Sequence, residues 1–323
     1  MTAHDNDLRP EEFAQAAAEA ICDALAREGA DACRVLAEGG LFGVSAAEDD
    51  GGLGLPVRFA LPVVNAAGRL QLRLPLPEQI LLSRALAGTP QAAALAAGEK
   101  LATIAWQGSI ADGMASHARH VASCDWVLVN EGDGADDGAI LLDVASVAID
   151  EDGSLDPECP QSWLGLAGAK VVARIDAATR ATLEQEACLL MAELANGAAQ
   201  GALELTAGYM ATRVQFGRPL SAKQAVRHLL ARMKLLLEAS SAAVHRAMGR
   251  NEFDEARDAR PALAGAIANA AFVLEKSIHL HGGMGFTWEV PLHVSLREVR
   301  KLDAAFGTGA LARANGQRFI DAI

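Results

Sequence analysis

Two short segments of the sequence carry residue types suited to binding a phosphate group. In the first, Arg213 precedes Gln215 and Phe216. A guanidinium is permanently charged and donates several directional hydrogen bonds, which makes it a natural fork for a pyrophosphate. In the second, Gly282 and Gly283 lack side chains, so backbone N–H groups can approach an anion closely. These residue types could hold a phosphate-bearing ligand.

Each feature also has a purely structural interpretation. An arginine near the C-terminus of a helix often complements the helix dipole, and a glycine pair after a helix is commonly a cap. His279 and His281 lie two positions apart near a helix end, with no third ligand nearby, so they indicate cap or interface residues. Trp288 is typical of packing. We expect no metal site.

Helical periodicity predicts the elements that position both segments. An apolar stripe over residues 183–209 predicts a long helix from about Asp176 that ends near Phe216-Gly217-Arg218-Pro219, where glycine and proline oppose continuation. A second helix is predicted to begin at Ser221–Gln224, which has the form of a capping box, and to reach about Gly249. A third starts around Pro261 and stops at Gly282-Gly283, and shorter helices follow Pro291 and Thr308.

The first half of the chain has a different residue pattern. Helical spacing from Pro10 to about Gly40 predicts a helical pair, a glycine-rich turn follows at Glu48–Gly54, and more helix extends to about Ala97. Short apolar runs between Gly/Asp clusters then predict strands at residues 125–129, 139–142 and 170–173. We therefore predict a mainly α protein with a small β-domain (α+β): an N-terminal helical domain (1–100), a reduced middle β-domain (101–176) and a C-terminal four-helix bundle (177–323).

The composition excludes several classes of function. A formal net charge of −13 opposes nucleic-acid binding, which relies on clustered Lys and Arg. No apolar run approaches the roughly 20 residues of a membrane helix, and Met1 to Pro10 is polar rather than signal-like, so we expect no membrane partner and a cytoplasmic location. The five scattered cysteines contain no Cys-x-x-Cys pair, and we expect them to be buried free thiols.

Three motifs resemble those of one enzyme family. Residues 209–220, followed by Gln224–His228, are similar to the Arg-x-Gln-Phe-Gly junction of the acyl-CoA dehydrogenases. Residues 279–289 resemble that family's Gly-Gly-x-Gly-Phe/Tyr-Thr turn, and Glu48–Gly54 resembles its glycine turn. The chain is identified on these motifs as a member of the family, over essentially its whole length, and the resemblance implies FAD as cofactor.

The resemblance also implies roles for individual residues. Arg213 would reach the FAD of a neighbouring subunit, with Gln215 and Phe216 beside the adenine end. Gly282 and Gly283 would lie near phosphate, and His279 stands where family members usually carry a glutamine.

The family's catalytic base is missing from both of its usual places. The reaction needs a carboxylate to remove a proton next to the thioester carbonyl. The two family positions are Phe306 and Ala187, and neither side chain takes a proton. Glu186 is a weak candidate, because one helical step rotates a side chain by about 100°. A solvated carboxylate on the helix face is the simpler interpretation. Leu101–Ser109 retains almost none of the family's flavin-ring segment.

The pattern resembles the short subunit of heteromeric (α2β2) acyl-CoA dehydrogenases of steroid and sterol side-chain degradation. It implies a full-length homologue as partner, an acyl-CoA substrate and an electron-transfer flavoprotein or similar acceptor. Two alternatives stay open. One is a self-sufficient homo-oligomeric dehydrogenase that uses Glu186, and the other is a non-enzymatic interaction protein on the same fold.

Overall fold

The computed structural model describes residues 9–321. Within them the chain divides into two compact units. The first contains the chain up to Ala66 together with Leu72–Leu190, and the second contains Ala67–Gln71 and the chain from Met191 onward. The polar start that argued against a signal segment falls largely outside the described residues. The domain boundaries at residues 100 and 176 stay predictions.

The described part of the chain begins with five helices, in the region where a helical pair and further helix were predicted. Thr89 caps the last of them by accepting a 3.3 Å hydrogen bond from the Ala92 amide, and Pro90 occupies its first turn. The buried aromatic rings of this part include Phe42 and Phe59. The helices are α1 (Glu12–Leu25), α2 (Gly29–Glu38), α3 (Ala60–Arg69), α4 (Leu76–Ala85) and α5 (Pro90–Ala96).

A seven-stranded sheet follows, in the order β5-β6-β2-β1-β3-β4-β7. Its strands are β1 (Ala102–Ser109), β2 (Met114–Ala118), β3 (Trp126–Asn130), β4 (Ala139–Asp143), β5 (Ala148–Asp152), β6 (Gln161–Gly165) and β7 (Val171–Ile175). Only the β1–β3 pair among these strands is parallel. The three predicted strands correspond to β3, β4 and β7, and one face of the sheet buries a cluster of small aliphatic side chains.

Five helices complete the described chain: α6 (Ala177–Thr212), α7 (Gln224–Ala247), α8 (Arg260–His281), α9 (Leu292–Phe306) and α10 (Thr308–Asp321). Residues 187–199 of α6 are buried without interruption, and the two polar side chains among them, Glu193 and Asn196, are joined by a 3.2 Å hydrogen bond. The first unit holds α6 up to Leu190, and the second holds the rest. The prediction of a mainly α protein with a small β-domain is confirmed.

Three local predictions are wrong. The capping box at Ser221 does not form, because Ser221 lies in a preceding 3₁₀ turn and Lys223 is the N-cap of α7, without a side-chain cap. The long helix ends at Thr212 rather than near Phe216, because the chain turns into a hairpin there. The cysteines are all free, but Cys22 is exposed on α1, whereas the other four are buried.

Candidate functional site

The hairpin after α6 presents the first predicted site segment. The two strands β8 (Val214–Gln215) and β9 (Arg218–Pro219) pair antiparallel, and Phe216 and Gly217 form the two-residue turn between them. Both turn residues are left-handed, with φ of 55° and 78°. Glycine adopts this geometry freely, but an aromatic residue does so at a cost, which is typical of functional positions.

The side chains of this hairpin point to solvent. Arg213 and Gln215 are exposed, and the Phe216 ring is 88% exposed with the Lys223 ammonium 4.2 Å from its centroid. The Arg213 side chain makes no hydrogen bond or ion pair to any residue in the described range 9–321. Its guanidinium is therefore available to an anion from outside the chain.

The surrounding sequence is strongly basic in an acidic protein. Between Glu204 and Glu238 there is no Asp or Glu, while six basic residues occur: Arg213, Arg218, Lys223, Arg227, Arg232 and Lys234. Two of these, Lys223 and Arg227, lie at the start of α7, where the helix dipole opposes positive charge. An anion bound nearby would relieve this repulsion.

The turn after α8 presents the second predicted segment. His279, Gly282 and Gly283 are all exposed. Gly282 has φ 62° and ψ −137°, a conformation that is essentially restricted to glycine. A Cβ atom on Gly282 or Gly283 would meet nothing within 4 Å, so open space lies over this backbone. Gly285 differs, because a Cβ atom added there would lie only 2.3 Å from the Ile278 carbonyl oxygen.

The structure brings the two segments together through Tyr209, which the sequence analysis did not select. Its ring stacks on His281 with centroids 4.6 Å apart and planes 11° apart, and its hydroxyl lies 3.8 Å from the Met284 sulfur. His281 is buried, and its Nδ1 lies 2.9 Å from the Ser277 carbonyl oxygen. It therefore packs against Tyr209 and contacts a backbone carbonyl of the last turn of α8. Residues 9–321 contain no group of His, Cys, Asp and Glu suited to a metal ion.

Large apolar side chains are exposed on the same two segments. Met284 is 41% exposed, Trp288 59% and Phe286 78%, in addition to Phe216 on the hairpin. Trp288 makes an edge contact with His293, so the predicted packing role covers only part of its surface. Several exposed large apolar side chains on two segments that Tyr209 joins are typical of an interaction surface.

Neither family base position carries an acid. Ala187 is completely buried on α6, and Phe306 is the last, half-buried residue of α9. Glu186 is not the solvated carboxylate that we expected. Both of its oxygens lie 3.1 Å from the Arg84 Nε, and only 15% of its side chain is exposed. Burial raises the pKa of Glu186, against the lowering effect of Arg84.

The segment that would hold a flavin ring in the resemblance forms strand β1, at the centre of the sheet. Ala102, Thr103 and Ile104 are buried there, and Ala105 joins the buried aliphatic cluster. The strand therefore contributes mainly to the core of the first unit.

The structure also contains a buried ion pair that sequence reasoning missed. Glu78 on α4 accepts hydrogen bonds of 2.9 and 3.1 Å from Nη1 of Arg119, which directly follows β2. The Glu78 side chain is 0% exposed and that of Arg119 is 8% exposed. Neighbouring residues give no signal of this pair, because its members lie 41 positions apart.

Among residues 9–321, no helix has both the length and the apolar character that crossing a bilayer requires. Comparison with known proteins then identifies a family domain in the second half of the chain. Residues 176–320 match the model described as "Acyl-CoA dehydrogenase, C-terminal domain".

Two curated relatives come from Mycobacterium tuberculosis. The chain is 29% identical to acyl-CoA dehydrogenase FadE34 over 284 residues, which is 83% of this chain and 39% of that protein. It is 38% identical to acyl-CoA dehydrogenase IpdE2 over 108 residues, which is 33% of this chain and 33% of that protein. The chain thus spans less than two fifths of the length of these relatives.

Solved structures share the fold at low sequence identity. The ChsE4-ChsE5 complex of Mycobacterium tuberculosis contains a chain with a TM-score of 0.81 at 22% identity, over 99% of this chain and 98% of that one. A chain of the Tcur3481-Tcur3483 steroid ACAD G363A variant has a TM-score of 0.83 at 22% identity, over 97% of this chain and 98% of that one. The motifs, the domain match and the fold agree: residues 176–320 of this chain match the C-terminal domain of the acyl-CoA dehydrogenases.

Proposed function

We propose that this chain is a subunit of an FAD-dependent acyl-CoA dehydrogenase, in which it completes a nucleotide site held mainly by a larger homologous partner. The complex would introduce an α,β double bond into an acyl-CoA thioester. In this assignment Arg213 and the Gly282-Gly283 backbone bind the pyrophosphate, and Gln215, Phe216 and His279 border the nucleotide.

The observation that carries the proposal is the exposed, unpaired Arg213 at the end of α6. It follows Tyr209, whose ring joins this end of the helix to the Gly282-Gly283 turn. The residues present suit a pyrophosphate: a free guanidinium, open space over two bare glycines, and a stretch from Leu205 to Leu237 without any acid. The exposed Phe216 offers an apolar surface of the kind on which an adenine ring can stack.

We assign proton abstraction to the partner, because neither base position of this chain carries an acid. Bound FAD would supply the hydride acceptor, but a carboxylate must still remove the proton from the substrate. Ala187 and Phe306 have no ionisable group, and Arg84 already engages Glu186. The residues of this chain would then bind and orient the nucleotide, and the exposed aromatic side chains near Gly282 would be covered by the partner.

Two structural neighbours support the substrate class and the assembly. One is a chain of the ChsE4-ChsE5 complex and the other belongs to a steroid ACAD, and each covers nearly the whole of this chain. We therefore propose a heterotetramer of two unlike subunits, a bulky steroid-type acyl group and electron transfer to a flavoprotein acceptor.

A second candidate function rests on Glu186. Burial raises its pKa, a perturbation that is common in catalytic acids and bases. A self-sufficient enzyme would need Glu186 to leave Arg84 and take the substrate proton. Glu186→Gln should then abolish turnover, whereas the two-subunit proposal predicts turnover close to wild type.

The test is flavin retention in the complex. The chain is co-expressed with candidate full-length acyl-CoA dehydrogenase partners, and the flavin absorbance per complex is recorded after gel filtration. Arg213→Ala should weaken FAD binding at least about tenfold, the loss expected for a charge-assisted hydrogen bond. Arg218→Ala, on the same hairpin, is the matched control and should have a smaller effect.

The proposal fails if Arg213→Ala retains the wild-type flavin content. A colourless chain that associates with no larger homologue would instead favour a non-enzymatic interaction protein.

A further inference from the structure

A groove lies at the far end of the α7–α8 pair, apart from the residues assigned to the nucleotide. Its volume is about 680 Å³, and it is bounded by the last turns of α7, the connecting loop and the first turn of α8. Its lining is rich in alanine: Ala239, Ala242, Ala243, Ala247, Ala256 and Ala262. Methyl groups leave room that larger side chains would fill.

Two arginines and one carboxylate line the groove, and the carboxylate, Asp258, is already held by two hydrogen bonds from Arg260. Arg246 is exposed, and its side chain makes no hydrogen bond or ion pair within the described part of the chain. Arg257 lies across from it and donates from Nε to the Arg250 carbonyl oxygen at 3.1 Å. The groove thus combines an apolar floor with an available cation at its rim.

The loop beside the groove has the opposite character. Residues 252–255 read Glu-Phe-Asp-Glu, and Phe253 is 75% exposed. The Asn251 side-chain oxygen accepts hydrogen bonds of 2.9 Å from the amides of both Phe253 and Glu255. Arg250 forms an ion pair with Asp254. These contacts fix the loop and hold the Phe253 ring outward.

The loop and the groove are complementary and lie side by side on one surface. An exposed aromatic ring flanked by carboxylates stands next to an alanine-lined recess flanked by guanidinium groups. When a projection and its matching recess lie together on one chain, a two-fold axis lets two copies exchange them and closes the assembly at a dimer.

We propose that two copies of this chain associate through this surface, with Phe253 of each copy inserted into the alanine-lined groove of the other. Glu252 has no partner among residues 9–321, and in the dimer it would lie against Arg246 of the second copy. A phenylalanine ring buries enough apolar area to act as the anchor of such a contact. The proposal is independent of the nucleotide site.

A charge exchange tests the pairing. Glu252→Arg places two arginines together, and Arg246→Glu places two carboxylates together, so each single variant should weaken self-association. The double variant restores opposite charges across the two-fold axis and should recover most of the wild-type association. Both residues are exposed, so the substitutions leave the buried core unchanged.

The measurement is sedimentation equilibrium of the full chain, alone and in any complex that it forms with a larger homologue. Phe253→Ser should raise the dimer dissociation constant roughly 30-fold, as for loss of an aromatic anchor, and halve the mass of the assembly. Phe319→Ser is the matched control, because Phe319 is 70% exposed on α10, and its mass should equal that of wild type.

Several results would overturn the proposal. The first is a wild-type chain that does not self-associate, either alone or in complex with a larger homologue. The second is an unchanged mass for Phe253→Ser. The third is a double charge variant that self-associates no more tightly than the single variants. Loss of the larger homologue on Phe253→Ser would show that the groove binds that partner instead. Flavin content reports separately on the nucleotide site, and it should be the same for Phe253→Ser and wild type per mole of larger subunit.

Discussion

The buried ion pair between Arg119 and Glu78 gives the sharpest stability prediction. Arg119→Met removes the guanidinium while preserving much of the side-chain length. The carboxylate of Glu78, 0% exposed, would then lose the Arg119 Nη1 group that donates to both of its oxygens. We expect the variant to be strongly destabilised.

The magnitude follows from the burial of both groups. Removing one partner of a buried pair costs about 3–5 kcal/mol, because the remaining charge loses its compensation while its desolvation persists. This corresponds to a reduction of roughly two to three and a half powers of ten in the folding equilibrium constant. Replacing both residues with Met should be much less damaging, since no charge then stays buried.

Urea unfolding followed by circular dichroism measures these changes, read from the transition that reports the first unit. Arg174→Met is the control, because the ion pair of Arg174 with Glu131 is 57% and 36% exposed and should contribute less than about 1 kcal/mol. The reasoning is refuted if Arg119→Met stays within about 1 kcal/mol of wild type, or if the double variant is less stable than Arg119→Met.

Two further predictions concern Glu186 and Gly285. Burial raises the pKa of Glu186, so the folded state holds the carboxyl proton more tightly than the unfolded state does. The unfolding free energy therefore falls as the pH rises above 4.5, the ordinary pKa of this carboxyl. Glu186→Gln should therefore lose less stability than wild type between about pH 4 and pH 7 in urea titrations, and the same behaviour in the exposed control Glu184→Gln would contradict this. Gly285→Ala should destabilise the chain by about 1–3 kcal/mol, since its Cβ would overlap a carbonyl oxygen of the preceding helix. Gly283→Ala, which meets open space, should unfold at nearly the wild-type temperature in a thermal melt, and equal losses for both variants would contradict the assignment.

Much of the fold could be predicted because its long helices carry their own signals. The apolar stripe along α6 and the Pro261 and Gly282 boundaries of α8 are local patterns, and the structure reproduces them. Strands β1, β2, β5 and β6 were harder to predict individually. The β5 sequence Ala-Ile-Asp-Glu-Asp, for example, is acidic and largely exposed, so it lacks the apolar run that marked β3.

The residues of the candidate site could be selected from the sequence, and their role stays a prediction, but their contacts could not be foreseen. Arg213 and the glycine turn stand out as motifs, whereas the stacking of Tyr209 on His281 joins residues 72 positions apart and needs the folded chain. The hairpin strands are only two residues long, too short for periodicity, and nothing local indicates that Phe216 is left-handed. Arg84, which buries and pairs Glu186, lies 102 positions away from it.

The central claim is that one nucleotide site is composed from two unlike chains. Native mass spectrometry tests it directly, by recording the flavin bound to this chain alone, to a larger homologue alone and to their mixture. We predict a flavin-free chain, a homologue that loses FAD on dilution, and stable retention only in the mixed complex. A full complement of FAD on this chain alone, or equal retention by the homologue with and without it, would contradict the claim.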